Sequence, residues 1–125
     1  MKKNVLFGLV AGVALMAGVS SASAQSAADG EKVFRQCKAC HSLEAGKKGV
    51  GPSLSGLIGR KSGSVEGFAY SPAMQNANIT WDAENLAKYA ADPKGFVAGN
   101  KMAFAGVKKE EDLKNVVAYL LEAAK

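Results

Sequence analysis

Five consecutive residues, Cys37-Lys38-Ala39-Cys40-His41, hold the only two cysteines and the only histidine of the chain. Two thiols three positions apart with an imidazole beside the second suit several chemistries. A structural zinc site needs four protein ligands, or three with a water, and no second ligand pair exists elsewhere in the sequence. A thioredoxin-like dithiol needs a βαβ setting, and no strand alternation stands out. A disulfide closing so short a loop would constrain little of the unfolded chain. Cys-x-x-Cys-His is the attachment sequence for haem, and its spacing has a chemical cause. The thiols of Cys37 and Cys40 add across the two vinyl groups and clamp one porphyrin edge with thioether bonds. His41, next to the second thioether, is then placed to bind the iron.

A single histidine excludes bis-histidine ligation, so the second axial ligand must be another residue type. Beyond residue 24 there are two methionines, Met74 and Met102. A thioether sulfur is soft, favours ferrous iron and raises the potential relative to histidine. Met102 lies in a glycine-dotted stretch, Gly99 to Gly106, which can approach a flat cofactor closely. Met74 follows Ser71-Pro72 in a short helix, where filling the core is the default role of methionine. Position favours Met102 and keeps Met74 as the alternative.

The elements that must hold these residues are helical. Asp29 to Cys37 reads as a short helix capped by Asp29, with Val33, Phe34 and Cys37 on one face. Ser42 to Gly67 is rich in Gly, Ser and Lys and reads as a long loop, a kind usually functional in a compact domain. Ser71-Pro72 pairs an N-cap with a proline at the first helical position and opens a helix to about Gln75. A third helix runs from about Asp82 to Ala91 and ends at Asp92-Pro93, because the residue before proline avoids the helical region. Lys94 to Val107 reads as a second loop. The last helix is the clearest. Glu110, Glu111 and Asp112 crowd its positive end, and Leu113, Val116, Val117, Leu120, Leu121 and Ala124 form one apolar stripe. The class is all-α with long loops.

The N-terminus reads as an address. Lys2 and Lys3 precede an apolar run, Val5 to Val19, and then Ser20-Ser21-Ala22-Ser23-Ala24, which describes a secretory signal peptide over residues 1–24. The run is shorter than the ~20 residues that span a bilayer; an uncleaved signal would instead tether the protein to the membrane. Residues 25–125 suit one domain. The net charge is +5, of which Lys2 and Lys3 supply two. What remains is mildly basic and does not suggest a nucleic-acid binder.

Taken in order, these motifs make the sequence resemble the class I c-type cytochromes, the mitochondrial type and its soluble counterparts in photosynthetic and respiring bacteria, from about Asp29 to the C-terminus. The resemblance implies the cytochrome c fold: about four to five short helices and long loops around one covalently bound haem c with its iron. The first and last helices would pack together through Gly30, Phe34, Val116 and Tyr119. Gly51-Pro52-Ser53-Leu54 resembles the segment whose proline carbonyl accepts a hydrogen bond from the proximal histidine, which gives Pro52 the task of orienting His41. Gly56 to Arg60 matches a block whose arginine lies near a haem propionate. Gly67 to Ser71 and Asn78 to Trp81 match segments whose tyrosine and tryptophan, Tyr70 and Trp81, donate to the propionates. Tyr89 aligns with a tyrosine that hydrogen-bonds near the methionine sulfur. Lys101 to Gly106 matches the methionine-ligand loop, which makes Met102 the sixth ligand. Met74 departs from a usual asparagine, Asn100 from a frequent threonine and Ala98 from a frequent proline; these changes bear on potential and buried water, not on ligation.

Protein ligands on both faces of the iron leave no open position for substrate, so the expectation is a carrier, not an enzyme. It is a monomeric periplasmic protein passing single electrons, in respiration or photosynthesis. The alternative is a gas-binding or peroxidase-like haem protein with a labile Met102. Lys38, Lys47, Lys48, Lys94, Lys101, Lys108 and Lys109 suggest a positive docking face for redox partners with acidic surfaces. A quinol-oxidising cytochrome complex, a terminal oxidase, a reaction centre or a periplasmic dehydrogenase would suit, with membranes met only through such complexes and no nucleic acid bound.

Overall fold

The chain folds as five helices joined by loops, described over residues 26–125 in a computed structural model. The expected signal peptide lies outside the described residues. Helix α1 spans Ala27–Lys38, α2 Pro72–Asn76, α3 Ala83–Ala91, α4 Pro93–Phe96 and α5 Glu110–Ala123. No strand forms among the described residues; the sole extended pairing is an isolated antiparallel bridge between Lys61 and Thr80. No described helix is long and apolar enough to cross a membrane.

Helix α1 begins earlier than its sequence predicts. Ser26, not Asp29, is the cap: its hydroxyl accepts from the Asp29 N–H at 3.0 Å. Asp29 sits in the first turn, where its charge complements the positive helix end. Ser71 and Asp82 cap α2 and α3 as expected, accepting from Met74 N–H at 3.1 Å and Asn85 N–H at 2.8 Å. Asp92-Pro93 ends α3 and also starts α4, a turn of helix inside the stretch that reads as loop. The Asp92 carboxylate caps it by accepting from Gly95 N–H at 3.1 Å, and Pro93 at the first position needs no partner for a missing N–H.

The most extensive helix contact is between α1 and α5. Phe34 is fully buried and Val116 is 1 % exposed, with Tyr119 tilted against Phe34 at 5.2 Å between ring centres. Val117, Leu120 and Ala124 are also buried, so the apolar stripe of α5 faces inward. Asn115, also buried, is the polar member of that face; its side-chain oxygen accepts from Ser26 N–H at 2.8 Å and ties the start of α1 to the middle of α5.

Candidate functional site

Helix α1 ends within the cysteine motif, and its last carbonyls build the motif's turn. Cys37 O accepts from both Cys40 N–H at 3.0 Å and His41 N–H at 2.8 Å. This keeps Cys37, Cys40 and His41 on one wall of a cavity of about 280 Å³. Both thiols are free and half-buried. Burial, with the Cys40 sulfur adding, pushes the Cys37 thiol up to about 11.

The His41 ring is held from two sides. Its Nδ1 donates to the Pro52 carbonyl at 2.8 Å. A carbonyl only accepts, so Nδ1 carries the proton and Nε2 keeps a lone pair for a metal. Gly51 lies flat against the same ring: a Cβ there would come within 2.7 Å of Nδ1 and 2.9 Å of Nε2. Gly51 N–H in turn donates to Cys40 O at 2.8 Å, which locks the two loops together. Burial lowers the His41 basicity, the Pro52 carbonyl works against this, and the Arg60 charge adds to the lowering.

Met102 lines the same cavity as His41, and Tyr89 OH donates to its Sδ at 3.7 Å. Burial pushes the Tyr89 phenol up to about 12, so it remains a donor. Met74 also lines the cavity but is anchored within α2 and 8 % exposed, as a core residue would be. Trp81, 6 % exposed, lines the cavity with its ring 5.2 Å from that of Tyr89. The Tyr70 hydroxyl accepts from Val65 N–H at 3.1 Å.

Arg60 supplies a specific clue. Its terminal nitrogens donate to Ser55 O at 3.0 Å and Ser53 O at 3.1 Å, while the buried Nε has no partner. Burial lowers its basicity and Tyr70 acts in the opposite sense. An unpaired guanidinium N–H at such burial is rare in a folded chain, and Arg60 is among the residues that line the cavity. Phe34, Leu57, Leu86, Phe104 and Val116 contribute apolar lining. No cluster of three His, Cys, Asp or Glu able to hold a metal exists among the described residues.

All nine sequence-predicted site residues, Cys37, Cys40, His41, Pro52, Arg60, Tyr70, Trp81, Tyr89 and Met102, thus line this one cavity. Two participants escape sequence reasoning. Gly51 acts by having no side chain, and only its place beside Pro52 hints at it. Asn100 stands out in the sequence merely as a departure from threonine.

The family described as Cytochrome c matches residues 27–124. This chain belongs to the cytochrome c family. A cytochrome c2 of Blastochloris viridis is 50% identical over 119 residues, covering 94% of this chain and 91% of the relative. A cytochrome c2 iso-2 of Magnetospirillum fulvum is 55% identical over 93 residues, 74% of this chain and 97% of the relative. Among solved structures, cytochrome cH from Methylobacterium extorquens superposes with a TM-score of 0.73 at 44% identity, covering 77% of this chain and 97% of that one. The five-helix arrangement with α1 on α5 is the cytochrome c fold, and the cofactor is covalent haem c with its iron. The cavity fits that group: its walls are largely apolar, and the two free thiols and the Arg60 guanidinium belong to residues that line it.

Proposed function

We propose that this cytochrome is exported, is cut after Ala24, and carries single electrons between redox complexes in the periplasm, with no catalytic turnover of its own. The observation that carries the reading is that His41 and Met102 both line the cavity, each already held by a partner, Pro52 O and Tyr89 OH. In this reading Cys37 and Cys40 form the thioethers, and His41 and Met102 are the axial ligands. Arg60, Tyr70 and Trp81 serve the propionates. Bound haem c supplies an iron that passes between ferrous and ferric by one electron. The chain's residues then have two tasks. Pro52 and Gly51 fix the His41 ring and its tautomer, and Tyr89 directs the Met102 sulfur. With both ligands secured, little rearranges as the charge changes, which suits a carrier.

The cavity reaches solvent beside Gln36 and Val50, the latter 79 % exposed, close to the cysteines. Electrons would pass at this edge. The lysines expected to frame it fall into groups. Lys47 is paired with Glu44 at 3.1 Å. Lys48, Lys94, Lys101 and Lys108 donate to backbone carbonyls, of Gly67, of Asn100 and Met102, of Ala69, and of Ala91 respectively. A carbonyl tethers an ammonium without neutralising it, so these charges remain positive and fixed in place. Acidic partners such as a quinol-oxidising complex, a terminal oxidase, a reaction centre or a periplasmic dehydrogenase would be steered to them, and steering of that kind is screened by salt. Reduction by a purified acidic partner is expected to slow by about tenfold or more between low and high ionic strength; a rate indifferent to salt removes the docking face.

The function itself is tested on the exported protein after expression with a working haem-ligation pathway. Mass spectrometry should give the polypeptide from Gln25 plus one haem, and redox titration should give a reversible one-electron couple. A polypeptide mass alone overturns the reading. Carbon monoxide binding to the reduced protein at neutral pH overturns it in favour of a gas-binding or peroxidase-like protein.

A further inference from the structure

Asn100 is 5 % exposed, yet every hydrogen-bonding group of its side chain is engaged. The amide nitrogen donates to Pro93 O at 2.8 Å and to Val97 O at 2.9 Å, using both of its hydrogens. The amide oxygen accepts from the backbone N–H of Met102 at 2.7 Å. One side chain therefore joins the first residue of α4, the residue that closes it, and the backbone of Met102. Lys94, also on α4, reinforces the link from outside by donating to Asn100 O at 2.8 Å and Met102 O at 3.1 Å.

We propose that Asn100 is a positioning residue for Met102, clamping the loop to α4 so that the thioether stays where Tyr89 meets it and leaves the iron reluctantly. The inference rests on Met102 being the axial ligand. Its physical basis is the cost of the alternative. Without the amide, the Met102 N–H loses its acceptor, while Pro93 O and Val97 O fall back on their backbone donors alone, Val97 N–H at 3.0 Å and Asn100 N–H at 3.1 Å; a buried polar group without a partner is strongly disfavoured. The Met102 N–H regains a partner by swinging toward water, and that is the movement that draws the sulfur away. A threonine at this place has one hydroxyl and a shorter reach, so it can replace part of the clamp but not all three bonds. Asn100 thus ties down a loop that would otherwise be free to lift, and α4, the turn of helix that the sequence does not announce, is the fixed point it ties to.

The test uses ferric holoprotein and free imidazole, which competes with the methionine sulfur and removes the thioether–iron absorption band. Asn100→Ala is expected to bind imidazole about tenfold more tightly than the parent, and Asn100→Thr to fall between them. A purely structural role is separated by Val117→Ala, a buried residue of α5. That variant should lower the unfolding midpoint in denaturant while leaving imidazole affinity unchanged. Parental affinity in Asn100→Ala, or an equal gain in Val117→Ala, overturns the proposal. If Asn100→Ala yields no holoprotein, Asn100→Thr decides alone: a gain of about threefold or more supports the clamp and parental affinity overturns it. A failure of the underlying ligand assignment looks different, because Met102→Ala would then keep the band.

Discussion

Met102→Ala is expected to abolish the thioether–iron band at the red end of the ferric spectrum and to lower the reduction potential, while Met74→Ala leaves the band in place. The two methionines line one cavity but are held in unlike ways. Met102 is in a loop without regular structure, half-buried, with its sulfur facing a phenol. Met74 is 8 % exposed within α2, its backbone N–H spent on the Ser71 cap and its carbonyl packed over Gly63. Removing a buried methionine side chain costs roughly 2–5 kcal/mol through lost contacts and the cavity left behind. Met74→Ala should therefore lower the denaturant midpoint strongly with an unchanged spectrum. Met102→Ala should change the spectrum completely, and its potential should fall because a thioether favours the ferrous state. Absorption spectra and potentiometric titration of the two purified variants check this. If the band disappears in Met74→Ala and persists in Met102→Ala, the ligand assignment is reversed.

The parts of this molecule that sequence reading reaches are those with local causes. The apolar period of α5, the Ser71-Pro72 and Asp82 starts, and the proline stop after α3 are decided within a few residues, and all stand in the fold. The nine candidate residues that the fold gathers around one cavity are legible too, four from their own chemistry and five from the family pattern. What escapes depends on residues far apart in the chain. The cap of α1 is Ser26, which gains its place partly by donating to Asn115, 89 positions away. Helix α4 is a single turn, too short for any apolar period, and its role emerges only through Asn100. Gly51 matters for the space it leaves beside His41, and an absent side chain leaves no trace of chemistry in a sequence. Asn115 reads as an ordinary polar residue of α5 until its backbone is seen against α1.

That last contact sets up the largest expected effect on stability. Gly30→Ala should lower the thermal midpoint of the holoprotein by more than about 10 °C, although alanine is the better helix former by roughly 1 kcal/mol. The gain is outweighed at the α1–α5 crossing. A Cβ on residue 30 would overlap the Asn115 carbonyl oxygen and stand 2.6 Å from its carbon and 2.8 Å from Tyr119 Cβ. None of these atoms can turn aside by a change of rotamer, so the helices must separate. Separation opens the best-packed part of the core, where Phe34 is 0 % and Val116 1 % exposed, and stretches the Ser26–Asn115 bond. Overpacking of a close-packed core commonly costs about 1–3 kcal/mol; contact with backbone from a rigid element belongs at or above the top of that range. A net loss of about 2–3 kcal/mol, at roughly 4–8 °C per kcal/mol for a domain of this size, gives a fall of about 8–24 °C, most of that range lying above 10 °C. Gly46 separates this from any general intolerance of glycine replacement. Its φ is +76° with no neighbour within 4 Å, so alanine there meets only backbone strain of about 1 kcal/mol. Thermal unfolding followed by circular dichroism measures both. Equal midpoints for the two variants, or a rise in Gly30→Ala, would mean that α1 and α5 do not pack as closely as this geometry requires.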